Sequence, residues 1–366
     1  MLFITQNQRT WNEKNLNMAC KVVRLFLLIN LLLQIPKTSA VVPAIIVFGD
    51  STVDPGNNNQ ISTVLKSNFA PYGRDFLGGK PTGRFSNGRI ATDFISEAFG
   101  IKPDIPAYLD PKYDIKDFAT GVSFASAGTG YDNATSDVLS VIPFWKEIEY
   151  YKEFQKKLRG YLGDDIANHH LSESLHLISI GTNDFLENYY IFPTRSSKYS
   201  VDEYQNFLIR IASNFIRELY NLGARKIAIG GLPPMGCLPL ERTTNIFFGS
   251  ECIGAYNNVA IDFNKKLQGR VMGLKQELRG VQLVQTNAYD KLLEMIQNPS
   301  QFGFENAETA CCGTGLFEMS YLCDKMNPFT CSDANKYIFW DSFHPTEKTN
   351  AILADHVVRN ALAEFR

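Results

Sequence analysis

Several features of common protein classes are missing from this sequence of 366 residues. It has no Cys-x-x-Cys pair, which argues against a zinc site. It has no Gly-x-Ser-x-Gly motif, so the nucleophile elbow of α/β-hydrolases is absent and a serine enzyme would need another arrangement. The formal net charge is only −2 and no basic block occurs, which argues against a nucleic-acid partner.

A hydrophobic run long enough to span a membrane is missing as well. The apolar run at residues 25–35 is short, follows Lys21 and Arg24, and precedes the small residues Thr38-Ser39-Ala40. This pattern is typical of a secretory signal peptide, here residues 1–40, that is cleaved after Ala40. The predicted mature chain, residues 41–366, contains 31 basic and 37 acidic residues and is therefore mildly acidic.

The basic region before this run is unusually long for a signal peptide if translation starts at Met1. A start at Met18 would give a signal peptide of ordinary length and would make residues 1–17 an upstream extension. The sequence leaves this choice open.

Cysteines are few, and one of the seven lies in the predicted signal peptide. The other six are Cys237, Cys252, Cys311, Cys312, Cys323 and Cys331. An even number in an oxidising compartment predicts disulfides. The first two bracket one loop and are predicted to pair with each other. Cys311 and Cys312 are adjacent and therefore poorly placed to pair with each other. Each is expected to form a disulfide with one of Cys323 and Cys331, in either combination.

Strand-like and helix-like segments alternate along the chain, without repeats or an obvious linker. Short apolar runs predict buried strands at residues 45–48, 121–125, 175–180, 226–230 and 281–284. Helices are predicted at residues 89–99, 143–162, 201–222, 254–278, 289–296 and 346–365, and a cysteine-rich loop at residues 303–335. This alternation predicts a single three-layer α/β/α domain with a mostly parallel sheet of about five strands.

The first predicted strand ends in Gly49-Asp50-Ser51. In open parallel sheets, ligands bind outside the carboxyl ends of the strands, so Ser51 lies where a nucleophile would be useful. The same tripeptide also fits an ordinary cap between a strand and a helix. It therefore indicates a nucleophile only if the chain also supplies a base.

A candidate base lies in Asp341-Ser342-Phe343-His344. An Asp three residues before a His can hydrogen-bond the imidazole and leave the other ring nitrogen facing a nucleophile. The alternative is a polar cap for the helix that Pro345 begins. The other histidines are interpreted as surface or core residues; they are His169, His170 and His176, in a predicted helix-to-strand connection, and His356, within a helix.

Four blocks lie at or beyond the predicted strand ends: Phe48-Gly49-Asp50-Ser51, Gly128, Gly181-Thr182-Asn183-Asp184 and Asp341-Ser342-Phe343-His344-Pro345. In order and context they resemble the plant GDSL esterase/lipase family of the SGNH hydrolase superfamily. Further similar blocks at residues 68–75, 83–88, 231–237 and 311–312 extend the resemblance over essentially the whole mature chain. Thr52 replaces the Leu of the family name.

The resemblance implies a flavodoxin-like α/β/α fold and a role for each matching residue. Ser51 would be the nucleophile, His344 the general base and then acid, and Asp341 the residue that orients His344. The backbone N–H groups of Ser51 and Gly128 and the side-chain amide of Asn183 would form the oxyanion hole. No metal or organic cofactor is implied. Two of these roles have local alternatives: a turn glycine for Gly128 and a helix cap for Asn183.

The leading functional hypothesis is a secreted esterase or lipase that hydrolyses carboxylic esters through an acyl-enzyme. The alternatives are an acyltransferase of the same mechanism, similar to a cutin synthase, and an idle cell-wall binding protein. The expected partner is an ester or lipid substrate, with no obligate protein partner. The expected location is extracellular, which means the apoplast or cell wall if the chain comes from a plant. Phe343, Phe247, Phe248 and Tyr131 are candidate pocket walls or plain packing residues.

Asn133 is predicted to carry the only N-glycan, because Asn133-Ala134-Thr135 is the only Asn-x-Ser/Thr sequon without proline. Peptide mapping of the secreted protein after enzymatic deglycosylation should find Asn133 converted to Asp. The variant Asn133→Gln is the control and should lose the glycan mass. An unmodified Asn133 in secreted material would contradict the prediction.

Overall fold

The computed structural model of this chain describes residues 42–245 and 251–365. The predicted signal peptide, the alternative start at Met18, and the candidate pocket residues Phe247 and Phe248 lie outside the described residues. In the two described ranges, none of the helices is long and apolar enough to cross a membrane.

A parallel sheet of five strands lies at the centre of the fold. Its strands are β1 (Ile45–Gly49), β2 (Gly121–Ser123), β3 (Leu175–Ser179), β4 (Lys226–Gly230) and β5 (Gln282–Thr286). The first four are almost entirely buried, as expected for parallel strands covered on both faces. The predicted parallel sheet is confirmed, although β5 begins one residue later and ends two residues later than its apolar run indicates.

The strand order is β2-β1-β3-β4-β5, which is the flavodoxin-like order. The chain first moves outward from β1 to β2 and then crosses back to β3 on the other side of β1. The carboxyl ends of β1 and β3 are therefore neighbours, with Gly49 in register with Ser179. Ligands bind in the crevice at such a switch point, and Ser51 and Asn183 both lie just beyond it.

Helices cover both faces of the sheet. They are α1 (Ala91–Ala98), α2 (Ile115–Phe118), α3 (Asn133–Leu139), α4 (Phe144–Leu162), α5 (Asp164–Glu173), α6 (Val201–Asn221), α7 (Pro239–Thr244), α8 (Gly254–Glu277), α9 (Tyr289–Gln297) and α10 (Glu347–Asn360). The side chains of alternate residues of β1 point to opposite faces of the sheet and belong to different hydrophobic clusters. Phe48 packs with α4 and α6, whereas Val47 packs with α1 and α10, which produces the three predicted layers.

Two local predictions were wrong. Residues 164–173 form the helix α5 rather than a connection, so His169 and His170 are helical and His176 lies within β3. In α5 only Ala167 and Leu171 are buried, which makes its apolar periodicity weak. The last helix ends at Asn360, and a separate 3₁₀ turn covers Ala363–Phe365.

The cysteine-rich segment also contains structure that its sequence did not indicate. Strand β6 (Asn306–Ala310) pairs in parallel with β7 (Tyr337–Phe339). Strand β6 reads Asn-Ala-Glu-Thr-Ala and lacks the apolar run of a buried strand. The loop between the two strands holds two disulfides, Cys311–Cys331 and Cys312–Cys323, and a third, Cys237–Cys252, lies near α7.

We expect the six cysteines of the mature chain to be fully oxidised in these three pairs, because the Cα atoms of each pair are 4.3 to 5.7 Å apart. Trypsin cleaves after Lys325 and separates Cys323 from Cys331. The control variants Cys323→Ala and Cys331→Ala should free Cys312 and Cys311, respectively, for alkylation, which fragment spectra locate. Two or more free thiols in the denatured, unreduced wild type, or the opposite pairing, would contradict this prediction.

Candidate active site

The structure brings Ser51 to a pair of polar side chains, Asp341 and His344, from the other end of the chain. The Ser51 Oγ lies 2.7 Å from the His344 Nε2, across a separation of 293 residues. The His344 Nδ1 lies 2.8 and 2.9 Å from the two carboxylate oxygens of Asp341. All three side chains are buried. This geometry can pass a proton from the serine hydroxyl to the imidazole while the carboxylate fixes the ring.

A sharp turn after β1 presents Ser51. Gly49 has φ = 138°, and a Cβ at this position would overlap the backbone oxygen of Ser179 on β3. The next residue, Asp50, donates its N–H to that same oxygen at 3.0 Å. Glycine is therefore required for the chain to cross β3 this closely and release Ser51 above the sheet.

A buried carboxyl group supports this turn from below. The Gly49 N–H donates to the Glu147 Oε2 of α4 at 2.8 Å, and Glu147 is fully buried. Burial raises the pKa of Glu147 well above its usual value. Sequence reasoning did not identify this residue, because it lies in an amphipathic helix 98 residues away and no local motif marks it.

Two further acids order the loop beyond β1. Asp50 accepts hydrogen bonds from the N–H and the hydroxyl of Thr52. Burial raises the pKa of Asp50 to about 6, although these hydrogen bonds lower it. Asp54 accepts from the backbone N–H groups of Gly56, Asn57 and Ala127, and burial likewise raises its pKa to about 6. The bond to Ala127 fixes the loop against the segment that leads to Gly128.

The loop that carries His344 is organised by the Asp341 carboxylate. Besides the imidazole, its Oδ1 accepts the backbone N–H groups of Phe343 and His344 at 2.9 and 2.7 Å. The backbone N–H of Trp340 donates to the His344 oxygen at 2.7 Å and closes the turn. The Asp-x-x-His spacing therefore produces both the local turn and the orientation of the ring.

Tyr72 completes the environment of this carboxylate. Its hydroxyl donates to the Asp341 Oδ2 at 2.7 Å and accepts the backbone N–H of Ser320 at 2.9 Å. Tyr72 is buried, with its ring against those of Phe85 and Trp340. Its separation of 269 residues from Asp341 leaves no local signal in the sequence for this contact.

Gly128 follows an extended segment that pairs with the strand leading to Ser51. The backbone N–H groups of Phe124 and Ser126 donate to the oxygens of Val47 and Gly49, so residues 124–126 continue the pairing of β2 with β1. Gly128 has φ = 84°, which favours glycine. Among the residues that the structure describes, the N–H groups of Ser51 and Gly128 have no hydrogen-bond acceptor. Both remain available to a ligand.

Asn183 follows β3 and contacts the segment that carries Gly128. Its side-chain Nδ2 donates to the backbone oxygen of Thr129, next to Gly128, at 3.0 Å. The side chain makes no cap hydrogen bond to the π-helical turn Asp184–Ile191 that follows, so the contact that would define the cap alternative is not formed. The amide NH₂ has a second hydrogen that can serve a ligand.

The remaining predicted residues lie elsewhere. His176 is a core residue: it bonds the Tyr151 hydroxyl, and burial lowers its pKa to about 4. Asn133 is exposed at the start of α3. Tyr131 is buried against Phe144, so it is a packing residue. Within residues 42–245 and 251–365, no group of three or more His, Cys, Asp or Glu side chains is arranged to hold a metal ion.

The comparisons of this chain with a family model and with individual proteins point to the same family. The model of the GDSL-like lipase/acylhydrolase family matches residues 45–357. One Arabidopsis thaliana protein named as a GDSL esterase/lipase is 67% identical over 342 residues, which cover 93% of this chain and 97% of the relative. Two others with that family name are 64% and 58% identical, each over 88% of this chain and 93% and 92% of their own lengths.

The hydroxyl of Tyr72 is predicted to keep Asp341 and His344 aligned. Tyr72→Phe should slow covalent labelling of Ser51 by a fluorophosphonate probe roughly tenfold or more, because a hydrogen bond to an ionised group contributes about 1.5–3 kcal/mol. The control is Tyr151→Phe, which removes a buried tyrosine hydroxyl that contacts His176 instead. This control should lower the melting temperature without slowing the labelling rate. Equal labelling rates for wild type and Tyr72→Phe would contradict the prediction.

Proposed function

This chain belongs to the GDSL lipase/acylhydrolase family, and we propose that it is a secreted serine esterase/lipase with Ser51, His344 and Asp341 as its catalytic triad. The observation that carries the proposal is the 2.7 Å contact between the Ser51 Oγ and the His344 Nε2. Side chains separated by 293 residues meet here in the order nucleophile, base and carboxylate. This order is what acyl transfer by a serine requires.

The proposed reaction proceeds in two balanced steps. The His344 Nε2 accepts the hydroxyl proton of Ser51 as the Oγ attacks the ester carbonyl carbon. His344 then returns the proton to the departing alkoxide, which leaves as an alcohol and yields an acyl-enzyme. Water, deprotonated by the same nitrogen, attacks the acyl carbon, and the acid departs as Ser51 regains its proton. Asp341 holds the hydrogen of His344 on Nδ1, so the Nε2 lone pair faces Ser51.

The negative charge that develops on the carbonyl oxygen requires hydrogen-bond donors that are already in place. We assign this role to the N–H groups of Ser51 and Gly128 and to the Asn183 amide. The two backbone groups have no acceptor among the described residues, and the Asn183 amide is anchored to Thr129. The Ser51 N–H follows β1, the Gly128 N–H follows the segment that extends β2, and the Asn183 amide follows β3, so all three come from segments anchored to the sheet and little reorganisation accompanies the reaction.

Secretion and an extracellular location are part of the proposal. The apolar run before residue 41 supports a signal peptide, and the three disulfides suit an oxidising compartment. We propose that residues 41–366 form one mature hydrolase domain. The exposure of Asn133 supports its glycosylation.

The proposed nucleophile is tested by Ser51→Ala. This variant should lose both ester hydrolysis and fluorophosphonate labelling while it keeps the wild-type melting temperature, because a small polar side chain in a turn contributes little to stability. Ser342→Ala is the matched control, since its buried hydroxyl has no hydrogen-bond partner among the described residues. The control should remain active. Near-wild-type hydrolysis by Ser51→Ala would refute the proposed mechanism. A wild-type protein that neither hydrolyses esters nor reacts with the fluorophosphonate probe would refute the proposed enzymatic activity.

The role of Asn183 is tested by two substitutions. Asn183→Ala should lower kcat by roughly 10²- to 10³-fold, about 2.7–4 kcal/mol, with little change in KM, because its amide is proposed to act in the transition state. Asn183→Asp should be at least as damaging, because a carboxylate would face the developing oxyanion. As a helix cap, Asp would replace Asn with little effect. Near-full activity of Asn183→Asp would remove Asn183 from the oxyanion hole.

A further inference from the structure

Gly128 lies in a tight turn whose form decides where its N–H points. The N–H of Thr129 donates to the Ser126 oxygen at 3.1 Å and closes a four-residue turn with Ala127 and Gly128 at its centre. Gly128 has φ = 84°, whereas Ala127 is not among the residues with positive φ, so the turn is of type II. This turn type favours glycine at its third position.

The competing type I turn keeps the same outer hydrogen bond but inverts the central peptide. The two types differ by roughly 150° in the ψ of the second residue and by roughly 170° in the φ of the third, so the Ala127–Gly128 peptide would rotate by about half a turn. Glycine adopts both conformations. The residues of the turn alone therefore do not fix the direction of the Gly128 N–H.

The side chain of Asn58 fixes this direction in the structure. Its Nδ2 donates to the Ala127 oxygen at 3.0 Å. The Ala127–Gly128 peptide is trans, so its C=O and N–H point in opposite directions. The hydrogen bond therefore holds the Ala127 oxygen on the side of Asn58 and the Gly128 N–H on the other side. In an inverted peptide, the Ala127 oxygen would turn away from Asn58 and lose this bond.

The Asn58 amide is itself held by hydrogen bonds on both of its polar atoms. Its Nδ2 also donates to the Leu65 oxygen at 3.0 Å, and its Oδ1 accepts the Ser126 hydroxyl. Asn58 is buried, so breaking one of these bonds would leave a polar group away from water. Leu65 also covers the turn, because a Cβ added to Gly128 would lie 2.7 Å from the Leu65 Cδ2. Asn58 is thus fixed relative to the turn and to the residue that packs on it.

We propose that Asn58 is a positioning residue of the oxyanion hole, which keeps the Ala127–Gly128 peptide in the orientation that presents the Gly128 N–H to the developing oxyanion. This role rests on the proposed function, because it takes Gly128 as an oxyanion donor. Among the described residues the Gly128 N–H has no acceptor, so no hydrogen bond of its own fixes its direction. The bond from Asn58 to the carbonyl of the same peptide also polarises it and strengthens the N–H as a donor.

The test compares Asn58→Ala with Asn57→Ala. Asn57 is the matched control, because it is buried and its Nδ2 also donates two hydrogen bonds to the backbone, but to the oxygens of Ser123 and Ala125. Both variants should lower the melting temperature. Only Asn58→Ala should lower kcat for p-nitrophenyl butyrate, by roughly 10- to 10²-fold with little change in KM, because a misdirected donor stabilises the transition state less.

An equal loss of kcat in the two variants would indicate general loosening of the loop and would overturn the proposal. Ser126→Ala is the second variant if Asn58→Ala does not fold. It removes the hydroxyl that donates to the Asn58 Oδ1 and should lower kcat by a smaller factor, again with little change in KM. An unchanged kcat in Asn58→Ala, or in Ser126→Ala where only that variant folds, would also overturn the proposal.

A crystal structure of the folded variant separates this proposal from the proposed function. The Ala127–Gly128 peptide should be inverted or present in two orientations, while Ser51 and His344 keep their contact. This result, together with a wild type that hydrolyses no ester, would support the role of Asn58 in the turn and refute the proposed function alone. A peptide that keeps a single type II orientation, or an inverted peptide with unchanged kcat, would overturn the role of Asn58 alone.

Discussion

The buried carboxylate of Asp341 is the interaction on which the rest of the site depends. An ionised carboxylate without contact to water is costly unless hydrogen bonds surround it. Here the donors are local and distant: the His344 ring and the backbone of residues 343–344 follow Asp341 directly, whereas the Tyr72 hydroxyl, which is itself held by Ser320, comes from 269 residues away. Satisfying one charge thus brings the N-terminal loop, the disulfide-bonded loop and the C-terminal turn to one place.

The sheet provides the second half of the site. Because β1 and β3 are neighbours, the turn after β1 and the segment after β3 end at the same crevice, and Gly49 lets the two backbones approach closely. The order in which the strands pair, rather than the local sequence around Ser51, places the segments that carry Gly128 and Asn183 at the same edge of the sheet as the serine.

Much of this could be predicted from sequence, and the exceptions have physical reasons. The strands β1, β3 and β4 are recognisable because parallel strands buried on both faces need nearly continuous apolar runs. Asp341 and His344 are recognisable because their contact is local. Tyr72 and Glu147 act across 269 and 98 residues, and β6 pairs with β7 without an apolar pattern, so none of them leaves a local signal.

The central claim is that Ser51 carries the acyl group during turnover. A p-nitrophenyl alkylcarbamate tests it most directly. The carbamate that it forms on a serine hydrolyses slowly, so this species accumulates whether acylation or deacylation limits ester turnover. The account predicts one carbamoyl group per chain in the intact mass, located by peptide mapping on Ser51, with loss of esterase activity in proportion to modification. A carbamoyl group on another residue that accompanies this loss of activity, or complete inactivation without modification of Ser51, would contradict it.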